Sequence, residues 1–115
     1  MKYVKVKRLE GVAVLTPHGY LVGGDETDEL QKLIQDLANE GNDCLVVNLS
    51  ETEFINSWAL GVLIGGHVNY AKRGARMKLS NVTDRIRNIF VITKLISVFE
   101  VYESEELALA SFARV

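Results

Sequence analysis

Apolar and polar residues alternate at the start of the chain. Between Tyr3 and Leu9, Val4 and Val6 interleave with Lys5 and Lys7, the period of a half-exposed strand. Glu10-Gly11 is a tight connection, and Val12 to Thr16 is a second, more apolar run, so the spacing predicts a β-hairpin. Pro17-His18-Gly19 ends it, and residues 19 to 25 read as a loop carrying Leu21 and Val22. The period then changes. Leu30, Leu33, Ile34, Leu37 and Ala38 recur at helical spacing, with Gly41 just beyond them as expected of a helix end. Cys44 to Leu49 has no polar alternation until Asn48, the pattern of a central strand covered on both faces.

A short polar connection leads to Asn56, a good N-cap, and to a helix running to Lys72. On a helical projection Leu60, Leu63, Ile64, Val68 and Ala71 share a stripe that should face the sheet, with Trp58 and Val62 on a neighbouring face. Gly61, Gly65 and Gly66 each cost about 0.8–1 kcal/mol relative to Ala inside a helix. They point either to close packing within the fold or to a flat surface where a partner docks. Arg76 to Leu79 alternates as a strand. Thr83 is placed to cap a helix carrying Ile86, Ile89, Phe90 and Thr93. Val98 to Tyr102 reads as a last strand, and Ser104 as the cap of a short terminal helix. The resulting order is β-β-α-β-α-β-α-β-α. Right-handed crossovers make this an α/β layer structure with a mixed sheet of about five strands.

A length of 115 residues fits one domain spanning 1–115, and 48% apolar with 24% charged residues fits a chain that builds its own core. Cys44 is the only cysteine and lies in an apolar strand, which fits a reducing compartment. The N-terminus interleaves basic and apolar residues and does not read as a signal peptide. No apolar run approaches bilayer length, so the expectation is a cytoplasmic protein without membrane insertion. A formal charge of −2 gives no field to attract nucleic acid. The cluster Lys72, Arg73, Arg76 and Lys78 has no interleaved aromatic platforms and reads as a solvated corner.

Catalytic and metal-binding classes find little support. His18 and His67 are far apart and lack accompanying ligands, so no metal site and no cofactor is expected. Asp25, Glu26, Asp28 and Glu29 lack calcium-loop spacing and read as a solvated helix start favoured by the dipole. There is no nucleophile elbow, and no Gly-Lys-Ser/Thr follows the glycines of residues 61–66, so an enzyme is not expected.

The stretch 44–67, CLVVNLSETEFINSWALGVLIGGH, carries the chemistry instead. It resembles the signature of the STAS domain, the fold of bacterial anti-sigma factor antagonists, in which a strand ending in Asp-Leu-Ser precedes an Asp-Ser-Ser-Gly-Leu-Gly turn. The matching residues are Asn48-Leu49-Ser50 and Asn56-Ser57-Trp58-Ala59-Leu60-Gly61. Asparagines replace both aspartates, Trp58 the second serine and Ala59 the first glycine. A Gly-x-Leu-Asp pattern after the second strand is met by Gly19-Tyr20-Leu21-Val22, with Val22 in place of the acid. The order of elements along nearly the whole chain fits as well.

The resemblance implies a single STAS-like domain with its helices mainly on one sheet face. It implies a non-catalytic regulatory protein that binds an anti-sigma factor acting as a serine kinase, with Ser57 as the phosphorylated residue. The implied partner-binding set is Gly19, Tyr20, Leu21, Val22, Asn56, Ser57, Trp58 and Val62. From the residues alone Ser57 reads as part of a helix cap, and it is the resemblance that sets the phosphorylated residue beside that reading; Trp58 reads either as a partner anchor or as a side chain folded back on its own sheet. An exposed Trp58–Val62 patch also leaves homodimer formation open. STAS domains occur in anion transporters and lipid-transport machines too, so the alternative is a non-phosphorylated structural subunit of a membrane transport complex.

Overall fold

The computed structural model describes residues 2–112. Strands β1 (Val4–Leu9) and β2 (Val12–Pro17) form the expected antiparallel hairpin, in register from Val4 opposite Pro17 to Leu9 opposite Val12. Gly11 turns it with φ +76°, a left-handed conformation that residues with a side chain rarely adopt. Strands β4 (Cys44–Asn48), β6 (Arg76–Ser80) and β7 (Val101–Tyr102) extend the sheet in parallel, in the order β1-β2-β4-β6-β7. The mixed five-stranded sheet is the one the alternation of elements implied.

The apolar run of β4 feeds both faces. Leu45 and Val47 join the main core with α1 (Asp25–Asn39), α2 (Ser57–Lys72) and α3 (Asp84–Ile92). Val46 points the other way and packs with Val14 and Ala108 beneath α4 (Glu105–Phe112). Three helices thus cover one face and one short helix the other. The caps follow the sequence. The side chains of Asn56, Thr83 and Ser104 accept from the N–H groups of Ala59, Ile86 and Leu107.

Four local expectations are corrected. Residues 19–21 and 52–55, read as loop and polar connection, form a second, two-stranded parallel sheet, β3 (Gly19–Leu21) with β5 (Thr52–Ile55). Leu21 and Ile55 are opposite one another and buried, which drives the pairing. The last strand is only Val101–Tyr102, and Ile96–Val98 is a 3-10 turn. Phe99 leaves the ladder there to stack on Phe90 at 5.7 Å in the core.

The buried stripe of α2 is also rotated. Leu60 and Leu63 are buried as expected, but Val68 and Ala71 are exposed, and Gly66 and Tyr70 are buried instead. A Cβ on Gly66 would stand 3.0 Å from Met77 Sδ and 3.1 Å from Ile34 Cγ2. That close approach turns the helix and buries Val62.

The acidic start of α1 is the fourth case, because half of it is structural. Glu29 accepts from the N–H groups of Tyr3 and Val4 at 2.9 and 2.8 Å, tying the entry of β1 to the helix. Glu26 accepts from the N–H groups of Val22 and Gly24 and from the Thr27 hydroxyl. Partial burial works against its charge. The Thr27, Val22 and Gly24 donors together outweigh it and lower the pKa to about 2.

Candidate functional site

The site lies where β5 runs into α2, at one end of the small sheet. Leu21 accepts from the Asn56 N–H at 3.0 Å, so β3 is tied to the helix entry. Asn56 is extended, at φ −94°, and its Oδ1 accepts from the Ala59 N–H at 3.1 Å. The cap is therefore supplied by Asn56. Ser57, the first residue of this 16-residue helix, is exposed, with its hydroxyl free of that duty. Backbone N–H groups of the first turn and the helix dipole both favour negative charge there.

Trp58 is 65% exposed and follows directly. Its Cβ and Cγ lie over Gly23, where an added Cβ would meet Cγ at 3.3 Å. Gly23 has φ +90° and donates its N–H to Thr27 Oγ1 at 2.9 Å, while the Glu26 carboxylate holds the N–H groups on either side. The loop beneath the indole is thus fixed by the first turn of α1. Beside it, Tyr20 and Phe54 are opposite one another in the β3–β5 pairing, with ring centroids 6.3 Å apart, and both are exposed. Val22 is exposed as well.

The sequence-derived set is therefore divided. Tyr20, Val22, Asn56, Ser57 and Trp58 come together at this end of the molecule. Gly19 contributes a backbone bend at φ +88° and donates its N–H to the Glu51 carbonyl. Leu21 and Val62 do not belong to the surface: Leu21 is 0% exposed and Val62 is 8% exposed, and both are core residues. Phe54 was missed, because it sits in a stretch that reads as a polar connection. The β-type composition of Thr52-Glu53-Phe54-Ile55 was the available signal.

The replaced motif residue Asn48 lies elsewhere and has a structural role. Its Nδ2 donates to Glu105 Oε1 at 3.0 Å, and its Oδ1 accepts from the Ser50 N–H at 2.9 Å. Glu105 also takes the Lys7 ammonium. Partial burial disfavours the Glu105 charge, but donation from Lys7 and Asn48 prevails and its pKa is lowered. An aspartate at position 48 would set two carboxylates face to face.

The remaining candidate clusters have structural roles or stay solvated. Lys78 is buried, bonded to Ser111 Oγ at 2.7 Å and placed over the Phe112 ring at 4.3 Å. Arg73 holds the Asn42 carbonyl and pairs with Asp43, and Arg76 pairs with Glu100. Lys78 is thus taken into the fold, while Lys72, Arg73 and Arg76 stay exposed, as expected of a solvated corner. Burial, then Asp43, pushes the Cys44 thiol up, away from the reactive thiolate. His67 packs edge-on against Phe99 at 5.4 Å. Among the described residues no group of three or more His, Cys, Asp or Glu is arranged to hold a metal ion. No described helix is long and apolar enough to cross a membrane.

Comparison with known proteins agrees with this architecture. The STAS domain profile matches residues 3–108. The anti-sigma-B factor antagonist of Bacillus subtilis is 30% identical over 77 residues, covering 67% of this chain and 70% of that protein. A crystal structure of a candidate anti-sigma factor antagonist from Thermotoga maritima superposes with a TM-score of 0.88 at 21% identity, covering 96% of this chain and 95% of the other. A sulfate transporter family protein from Wolinella succinogenes superposes with a TM-score of 0.77 at 24% identity, covering 93% and 88%. The two superpositions speak for the fold, and the profile and the Bacillus relative for the lineage. The chain belongs to the STAS domain family.

Proposed function

We propose that this chain is a non-catalytic regulatory protein-interaction domain, an anti-sigma factor antagonist that binds an anti-sigma factor or kinase in the cytoplasm. The observation that carries the reading is the exposed hydroxyl of Ser57 at the first turn of α2, between the Asn56 cap and a ring of exposed aromatic side chains. The Bacillus relative, an anti-sigma-B factor antagonist, supports the same role.

A phosphoryl group on Ser57 adds a charge of about −1.5 to −2 and three acceptor oxygens. The helix terminus stabilises such a charge by about 0.3–1 kcal/mol, so the domain itself tolerates it. A partner packed on this surface would have to strip water from a near-dianion, and it leaves. Binding is thereby switched without any rearrangement of the core. Loss of the acidic group at positions 22 and 56 makes the surface more apolar than the family pattern, so the contact depends less on steering and less on salt.

The test is phosphorylation of the purified protein by the anti-sigma factor kinase of its own organism with ATP. A mass gain of about 80 Da, absent in Ser57→Ala, and loss of the complex on modification are expected. Unmodified protein that still forms the complex would leave a constitutive binder. The second reading, a structural subunit of a membrane transport complex, is favoured by the fold shared with the Wolinella transporter family protein. Co-purification with a permease, and no complex with any anti-sigma factor, would select it.

A further inference from the structure

Tyr20, Val22, Phe54 and Trp58 are exposed by 56%, 48%, 39% and 65% and surround the helix start. Exposed apolar residues scattered singly need no explanation, but three aromatic rings gathered at one end do. The chain's only tryptophan is among them. Trp58, 65% exposed with the base of its indole resting on the Gly23 backbone, stands out from the surface as a knob. The rings do not collapse together either, because β3 and β5 hold Tyr20 and Phe54 side by side with both rings exposed.

Two properties decide what covers this knob. The first is area. An aromatic side chain buries about 150–250 Å² when fully covered, so the part left open on these residues is on the order of 400 Å². A specific interface with any partner takes about 800 Å² from each side, so this patch is the centre of a larger contact, and in a two-fold contact it would meet its own copy, knob and acidic edge against knob and acidic edge. The second is charge. The Glu26 carboxylate is bonded to the Val22 N–H at the edge of the patch, Asp25 follows the loop beneath Trp58, and Glu53 precedes Phe54. Asp25 and Glu53 form no ion pair among the described residues. Lys2 lines a shallow cleft with Tyr20 and leans on Tyr3.

We propose that this knob anchors a partner protein presenting a concave apolar cleft edged by lysine or arginine, and not a second copy of the chain. The inference rests on the protein-interaction reading above and names the chemistry of the partner's surface. Tyr20, Phe54 and Trp58 supply the desolvated centre, and Asp25, Glu26 and Glu53 the acidic rim that orients approach.

The experiment measures binding of the anti-sigma factor of the same organism to the wild-type chain and to variants. Trp58→Ala and Phe54→Ala should each weaken the complex about 30-fold, through faster dissociation. The pair Asp25→Asn, Glu53→Gln should slow association a few-fold at low salt, an effect that fades at high salt. Melting of each variant shows that it is folded. Sedimentation of the chain alone should give a monomer. If the wild type does not bind, the interaction reading fails and this inference with it. If the wild type binds and the aromatic variants bind equally well, only the anchor is wrong. A dimer dissolved by Trp58→Ala would give the surface to a second copy and overturn the proposal.

Discussion

The indole of Trp58 lies directly against the backbone of Gly23, so close that a Cβ on Gly23 would stand 3.3 Å from its Cγ. Gly23 also holds φ +90°, a region that costs an L-residue about 1–2 kcal/mol. The two residues are a matched pair joining the loop before α1 to the first turn of α2. Gly23→Ala should therefore destabilise the domain by about 1–2 kcal/mol. It should also shift the emission of the sole tryptophan. Urea unfolding followed by fluorescence reads both, and unchanged emission would show that the indole does not rest there.

Removing the other member of the pair should behave differently. Trp58→Ala deletes a side chain that is mostly in water, so the loss of stability should stay below about 1 kcal/mol. Tyr70→Ala, at a fully buried position, should cost about 3–5 kcal/mol. Comparing the two denaturation midpoints separates a surface tryptophan from a core one.

Gly61 and Gly65 meet nothing within 4 Å of an added Cβ, unlike Gly66. Gly61→Ala should stabilise α2 by about 0.5–1 kcal/mol through lower unfolded-state entropy. A higher melting temperature with unaltered partner binding would mean that the glycine serves no close approach. A higher melting temperature with weaker binding would place the partner against that turn.

Asn48→Asp restores the family residue but sets a carboxylate against Glu105. We expect a loss of about 1–3 kcal/mol at pH 7. The sign with pH can be worked out. In the wild type the lowered Glu105 pKa adds stability above the unfolded value of 4.5, and this is lost as pH falls. In the variant the repelled pair takes up a proton more readily when folded, so the penalty should shrink toward pH 4. Denaturation at pH 7 and pH 4 tests the reversal.

Glu26 gives a second acid-sensitive contact. Its folded pKa of about 2 lies below the unfolded 4.5, so its contribution is complete above pH 4.5 and fades as pH drops toward 2. Because the group is partly solvated, the contribution should be about 1 kcal/mol. Glu26→Gln should lower stability by that amount at pH 7 and leave the variant and wild type alike near pH 2.

Long periodic segments were legible because their burial follows one face of one element. The hairpin, the run from Cys44 and the caps at Asn56, Thr83 and Ser104 are local features that neighbouring residues determine. The small β3–β5 sheet was not legible, because each strand offers a single strong buried residue, Leu21 or Ile55, and their meeting is set by the rest of the fold. Leu21 was consequently placed outside and Phe54 overlooked. The rotation of α2 escaped for a related reason. Leu60 and Leu63 fit both stripes, and the choice fell to Gly66, whose lack of a side chain lets Met77 and Ile34 close in. The position of Ser57 was legible because a capping asparagine announces where a helix begins.

Tyr20 and Phe54 come from distant parts of the chain, and only the parallel register of two short strands makes them neighbours. Neither strand alone displays that pair, so a partner that grips both rings would bind the folded domain and not the unfolded chain.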